Sequence, residues 1–553
     1  MVIAHGDDGI DGSEEYAPVF SVKRRRKPRG DTMSNEASAI GRRAALKLPL
    51  LAALPRPAIA QSAARVLRFV PVSGLTAIDP IYALTIPTLT HAYMVYDQLF
   101  GLDATLTPQP QMAAGYELSD DRLRWRFTLR DGLLFHDGTR VRAVDCVASI
   151  RRWAKRDLFG LRMTARMDEM RALDDRSFEI RLKRPFANML YAFGATTCFI
   201  VPERVAQTDA FSAFTDPTGS GPFRFVLDEF LSGSRVVYAR HDGYVPRQEK
   251  PEAWSGGKLA NFDRVEWQII TDAATSAAAL QTGEVDWVER PLLDLLPTLR
   301  RAPGVKTETL DPIGLFAILW FNNAAPPFDN PKLRRALLPA INQLDFMQAI
   351  VGDQTDLMRT DVGMFPEGSP FASDAGIAAV RQPRDLALAR RLIAESGYGG
   401  EKIVQIAASE QAESDAMAQV AFALLKSLGL NIEYQRIDSG TLLARTRSKD
   451  PAVRAGWSFY CVAWAGLWPA NPGTSIPLSG YVHNPKMDAL LDDWFDAPDL
   501  PAQKQVADRM QILGFEEPPF LPIGQYFPPQ AHRANLTGFV HAPLTAFWNV
   551  RRT

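Results

Sequence analysis

From Arg124 to Arg130, Trp125, Phe127 and Leu129 alternate with Arg124, Arg126, Thr128 and Arg130, the period of a strand with one buried face. Asp131-Gly132 follows as a tight turn, Leu133 to Phe135 reads as a second short strand, and Asp137-Gly138 marks another turn. The period then lengthens. Val144, Val147, Ile150 and Trp153 recur every three residues and predict an amphipathic helix that leaves Arg151, Arg152 and Lys155 to solvent. Val66 to Val72 and Ser177 to Leu182 read as further strands. Arg264 to Ile270, Thr271 to Gln281 and Gly283 to Val288 read as strand, helix and strand, a βαβ unit with parallel strands. Asn330 and Pro331 open a helix whose apolar face carries Leu333, Leu337, Ala340/Ile341 and Leu344, and Pro339 is expected to kink it. Another α/β unit follows: helix Asp385 to Ser396, strand Ile403 to Ala407, helix Ala416 to Leu428 and strand Leu430 to Ile437, with Gly397 and Gly429 ending the helices. A helix from Pro501 and the apolar run Phe520 to Ile523 complete the pattern.

The run WRFTLRDGLLFHDGTRVRAVDCVASIRR, Trp125 to Arg152, resembles the signature of the family 5 solute-binding proteins of ABC importers, the group of dipeptide, oligopeptide and nickel binders. Ile78-Asp79-Pro80, Gly219-Ser220-Gly221-Pro222-Phe223, Gly283 to Trp287, Leu319 to Asn323 and Pro327 to Leu337 resemble further passages of that family. The resemblance implies an α/β fold of the periplasmic-binding-protein type II kind: two α/β lobes joined by a hinge, plus an accessory lobe inserted in the first. On that basis residues 61–105 and 217–313 form the first lobe, 106–216 the accessory lobe and 314–515 the second lobe. Residues 516–553 return to the first, so more than one segment crosses between lobes. Gly219 to Phe223 reads as architectural, its glycines placed where the backbone needs a positive φ. His136-Asp137 reads as backbone capping in a turn.

Net charge is −1 over 553 residues, with 46% hydrophobic and 23% charged side chains, ordinary for a globular chain of more than one lobe. Residues 1–60 are expected to be an upstream extension and an export signal. Gly41 to Lys47 resembles a twin-arginine motif, the apolar run Leu48 to Ile59 is too short to span a bilayer, and Ala58-Ile59-Ala60 suits a cleavage site. Met33 is the expected true start. Lys23 to Arg29 reads as a solvated basic tail. Without residues 1–60 the balance is 52 basic to 56 acidic side chains, a net charge near −4, which argues against nucleic acid or an anionic membrane as partner. Cys146, Cys198 and Cys461 allow at most one disulfide and fit neither a zinc site nor a lipid-anchored cysteine.

No catalytic or metal motif appears among the seven histidines, and no cofactor is expected. The stretch with most to say about function is Trp457 to Trp468, which holds Trp457, Phe459, Tyr460, Trp464 and Trp468, inside a span (Ala455 to Pro485) free of Asp, Glu, Lys and Arg. So apolar a loop belongs in a cleft or a core. By resemblance it lines the ligand site, where a Trp is followed three residues later by an Asp that holds the ammonium group of a peptide. Here Leu467 stands at that spacing from Trp464, so a neutral or weakly polar ligand stacked on Trp464 or Trp468 is expected. The candidate ligand-binding residues are Tyr82, Asn322, Tyr460, Trp464, Leu467 and Trp468. The expected partners are a small peptide or other organic solute and an inner-membrane ABC permease with its ATPase, served by a periplasmic monomer. Two other readings stand beside this one: a secreted hydrolase using His136 or His241 with a nearby carboxylate, and a sensory receptor subunit.

Overall fold

Strand alternation and helix periodicity translate directly into the first elements. The structure, a computed structural model, describes residues 65–553 apart from 196, 449, 451–452, 454–455 and 479–483. The expectations for residues 1–60 lie outside the described residues, as do His5 and His483. Strand β1 (Val66–Val70) leads through an Asp79 loop to helix α1 (Ile86–Val95). Then β2 (Ala113–Leu118), β3 (Arg124–Leu129), β4 (Met167–Ala172) and β5 (Ser177–Leu182) form one antiparallel sheet in the order β2-β3-β5-β4. Trp125, Phe127 and Leu129 are buried on its inner face. Helices α2 (Ala143–Trp153) and α3 (Leu158–Arg166) lie between β3 and β4 in the chain. Leu133 to Phe135 is not a strand. The Asp137-Gly138 turn brings its two arms together through only one bridge, Leu134 to Arg140, before the chain leaves for α2.

The first lobe is built on a seven-stranded sheet. Its members after β1 are β6 (Phe223–Phe225), β7 (Arg235–Arg240), β8 (Arg264–Gln268), β9 (Trp287–Val288) and β10 (Val305–Glu308), with α4 (Ala273–Thr282) linking β8 to β9. Strands β8 and β9 are parallel as the βαβ reading requires, but β1 sits between them and pairs with both.

The second lobe starts with β11 (Leu315–Phe321). Helix α5 (Pro331–Ala336) is capped by Asn330, whose side chain accepts from the Lys332 amide. Pro339 ends this helix outright: a 3-10 turn takes Leu338 to Ala340, and Asn342 caps a new helix, α6 (Gln343–Val351). Proline cannot donate to the preceding turn, and a fresh N-cap three residues on starts a second helix. Leu344 consequently leaves the apolar face and is exposed. There follow β12 (Met358–Arg359), α7 (Leu386–Glu395), β13 (Ile403–Ala408), α8 (Ala412–Ser427), β14 (Ile432–Ile437), α9 (Ser439–Arg447) and β15 (Phe459–Ala465). Helices α10 (Pro472–Leu478), α11 (Pro485–Asp496) and α12 (Leu500–Glu516) precede β16 (Phe520–Tyr526), and the second sheet runs β12-β16-β11-β15-β13-β14. Strand β17 (Gln530–Arg533) returns to the first sheet between β9 and β10.

The return therefore falls between Tyr526 and Gln530, about ten residues beyond the boundary expected at 516, because β16 pairs along its length with β11. The two crossings touch. Asp311 Oδ1 accepts the amides of Ile313 and Gly314 at 2.9 and 2.8 Å. Gly314 has φ 64°, and a Cβ there would stand 2.4 Å from the Tyr526 carbonyl oxygen.

Candidate ligand-binding cleft

Strand β15 is buried over Phe459 to Cys461 and half-buried from Val462 to Trp464. Tyr460, Val462 and Trp464 line a cleft of about 660 Å³, as do Cys461 and Ala463 between them. Antiparallel pairing with β11 sets Trp320 opposite Tyr460, and the Trp320 ring lies 5.3 Å from Tyr460 and 5.1 Å from Trp464, the latter edge-on. Such tilted contacts suit aromatic quadrupoles and leave ring faces available to a ligand. Past the strand end, the Gly466 amide donates to the Gly314 carbonyl at 2.8 Å, which ties this wall to the first crossing. Leu467 and Trp468 then also line the cleft, and Leu467 packs in the core of the first lobe.

The opposite wall comes from the first lobe and its accessory part: Leu89 and Tyr93 of α1, Arg156, Asp157 and Tyr191. From the second lobe, α9 adds Leu442, Leu443, Thr446 and Arg447. Burial pushes the hydroxyls of Tyr93, Tyr191 and Tyr460 well above the phenol range, so all three are neutral, and the positive charge of Arg447 opposes that shift at Tyr460. Asp157, the carboxylate among the lining residues, is the N-cap of α3 and accepts from the amides of Phe159 and Gly160 at 2.9 and 3.4 Å.

Four of the six residues singled out from the sequence thus meet here: Tyr460, Trp464, Leu467 and Trp468. The other two have structural posts outside the lining. Asn322 is buried where β11 ends, and its side-chain amide donates to the Trp457 carbonyl at 2.8 Å, bracketing the approach to β15. Tyr82 lies on the loop after Asp79 with its ring 5.8 Å from the Arg156 guanidinium, so it borders the cleft through that arginine. Trp320 was within reach of the sequence, since it lies in the Leu319 to Asn323 passage that resembles the family. Tyr93, Tyr191, Arg156 and Arg447 carry no such signal, because distant segments bring them together.

His136 and His241 lie elsewhere, with rings 4.7 Å apart. Nδ1 of His136 accepts the Gly219 amide at 3.3 Å, and the Gly221 carbonyl lies 3.1 Å from its Nε2 and 3.2 Å from His241 Nδ1. Asp137 accepts from the Thr139 amide and hydroxyl at 3.0 and 2.6 Å, a capping arrangement. Both histidines therefore serve the Gly219 to Phe223 loop. Among the described residues no group of His, Cys, Asp and Glu is placed to hold a metal ion, and Cys146, Cys198 and Cys461 are free and buried.

Two α/β lobes, crossed twice by the chain and enclosing an aromatic-walled cleft, define a type II periplasmic solute-binding protein. Residues 107–484 match the profile described as Bacterial extracellular solute-binding proteins, family 5 Middle, and the chain belongs to that family, the substrate-binding components of ABC importers. It is 35% identical over 519 residues to the probable peptide ABC transporter periplasmic-binding protein y4tO of Sinorhizobium fredii, covering 92% of this chain and 97% of that one. Identity to the glutathione-binding protein GsiB of Salmonella typhi is 27%, covering 86% and 92%. The periplasmic binding protein DppA of Helicobacter pylori, solved with a bound peptide, shares the fold at a TM-score of 0.72 with 20% identity, covering 88% of this chain and 99% of that one.

Proposed function

We propose that this chain captures a small organic or peptide-like solute between its lobes, stacked on Trp464 and Trp468, and hands the closed complex to an inner-membrane permease without altering the solute chemically. The observation that carries this reading is the cleft itself, lined from both lobes by Trp320, Trp464, Tyr93 and Tyr191. A ligand held there contacts both lobes only when they are together, so its binding free energy favours the closed state and makes loaded and empty forms distinguishable to a permease. The names of y4tO and GsiB support a peptide-like solute. Leu467, at the place of the expected ammonium anchor, disfavours the ordinary zwitterionic mode, since an unpaired buried charge costs several kcal/mol on an order-of-magnitude scale.

The protein acts in the periplasm as a monomer, its leader removed near Ala60. No helix among the described residues is long and apolar enough to cross a membrane. Small-angle scattering with and without a bound solute tests the reading. The expected result is a smaller radius of gyration on binding, with the solute recovered unchanged; a bound solute that leaves the scattering as it was, or emerges converted, counts against it. Trp464→Ala is expected to weaken binding by about 1–3 kcal/mol through lost stacking, measured by titration calorimetry.

A further inference from the structure

The charged groups facing the cleft are unbalanced in a way that bears on its ligand. Arg156 enters from the first-lobe side and Arg447 from the end of α9 in the second lobe. About half of the arginines elsewhere sit against a carboxylate, as Arg152, Arg162, Arg166 and Arg264 do. These two have no carboxylate partner among the described residues. Arg156 gives one hydrogen bond to the Ala210 carbonyl at 3.2 Å and lies over the rings of Phe211 and Tyr82, which leaves its charge uncompensated. Arg447, the exposed last residue of α9, donates no hydrogen bond among the described residues. Beside it, the Tyr460 hydroxyl and the Trp464 indole N–H also lack an acceptor among the described residues. The one carboxylate in the lining, Asp157, is occupied as a helix cap.

We infer that the solute carries a carboxylate or similar planar anion and no free ammonium group, its anion held by Arg447 with the Tyr460 hydroxyl and its apolar body on the tryptophans. This rests on the receptor reading above and adds the charge of what is received. A guanidinium offers a planar fork of donors that matches a carboxylate, and a cleft that closes over the pair strengthens it by excluding water. A ligand ammonium would meet two uncompensated guanidinium groups and no free carboxylate. The arginines thus move the expectation drawn from Leu467 from a neutral ligand to an anionic one.

The test is calorimetric titration of the full chain with four forms of phenylalanylleucine: the N-acetylated acid, the N-acetylated amide, the free-amine amide and the zwitterion. The N-acetylated acid is expected to bind, its amide about tenfold or more weaker, and the free-amine amide weakest, since each factor of ten corresponds to about one charge-assisted bond. Arg447→Gln is expected to lower affinity for the acid about tenfold and leave that for the neutral amide unchanged, a selectivity that a loss of packing alone does not produce. The inference falls if the acid fails to bind at millimolar concentration, if either amide binds as tightly as the acid, or if Arg447→Gln weakens both alike. Scattering on the same samples separates the two levels. Compaction with an amide keeps the receptor reading while sinking the anion rule; any form that binds without compaction, or is recovered altered, removes the receptor reading and the inference with it.

Discussion

Gly219 and Gly221 hold no positive φ, so the backbone freedom expected of them is not what the chain uses there. They are needed for closeness. A Cβ on Gly219 would stand 2.0 Å from the Val95 carbonyl oxygen, and one on Gly221 2.5 Å from that of Met94. Gly219→Ala must push the loop off the end of α1, and a cost of about 1–3 kcal/mol is expected in urea unfolding. His91, at the centre of α1, is fully buried with Nδ1 3.0 Å from the Tyr238 hydroxyl. Burial, aided by the charge His136 acquires on protonation, holds its pKa down to about 3. That is below the roughly 6.5 of an exposed imidazole. The stability it contributes is thus complete above about pH 6.5 and is lost as pH falls toward 3. His91→Phe is expected to make the acid limb of the stability profile shallower while costing about 1–3 kcal/mol at neutral pH, because Tyr238 loses its partner. Unfolding free energies measured from pH 4 to 8 check both parts.

At the scale of elements, α2 shows what periodicity reads and where it stops. Val147, Ile150 and Trp153 are buried as their spacing predicts, but Arg152, expected in solvent, is only 3% exposed. Its guanidinium forms a bidentate pair with Asp79 at 2.7 and 3.2 Å and bonds the carbonyls of Thr208, Asp209 and Ser212. A helical pattern records which positions face inward only if they are apolar; a buried cation matched to a carboxylate 73 residues upstream leaves no mark in it. The same limit explains the cleft. The stretch Trp457 to Trp468 was legible because its aromatic content and lack of charge are local, though the strand Phe459–Ala465 within it was not, whereas Arg156 and Arg447 depend on the approach of separate lobes. Arg152→Ala leaves the Asp79 carboxylate buried without its counter-ion and is expected to cost about 3–5 kcal/mol. Lys155→Ala, exposed just past the end of the same helix, should stay within about 0.5 kcal/mol. Chemical unfolding of the two variants side by side decides it, and equal effects would mean the buried pair is not what anchors α2 to the Asp79 loop.

For the whole molecule, the two crossings at Asp311 to Gly314 and Tyr526 to Gln530 are not the only connection between lobes. Helix α3 and the accessory part meet α11 of the second lobe, where Arg162 pairs with Asp492, and Arg166 and Arg184 both pair with Asp496. Phe159 and Phe186 pack against Phe495 with ring centroids 5.4 and 6.3 Å apart. Any opening that separates α11 from α3 must break these contacts, so they weight the equilibrium toward the lobes being together before a ligand arrives. The exposed pair Arg162–Asp492 adds little and is screened by salt. Arg166, 1% exposed, is different: without Asp496 its charge is stranded. Asp496→Asn should therefore shift the balance by about 1–3 kcal/mol, and about 1.4 kcal/mol already changes a population ratio tenfold. The expected outcome is a larger radius of gyration for the ligand-free variant than for the parent protein, with the difference persisting at high salt because the buried cation drives it. A variant that scatters identically to the parent would mean that the accessory part travels with the second lobe, and that the hinge alone sets the opening.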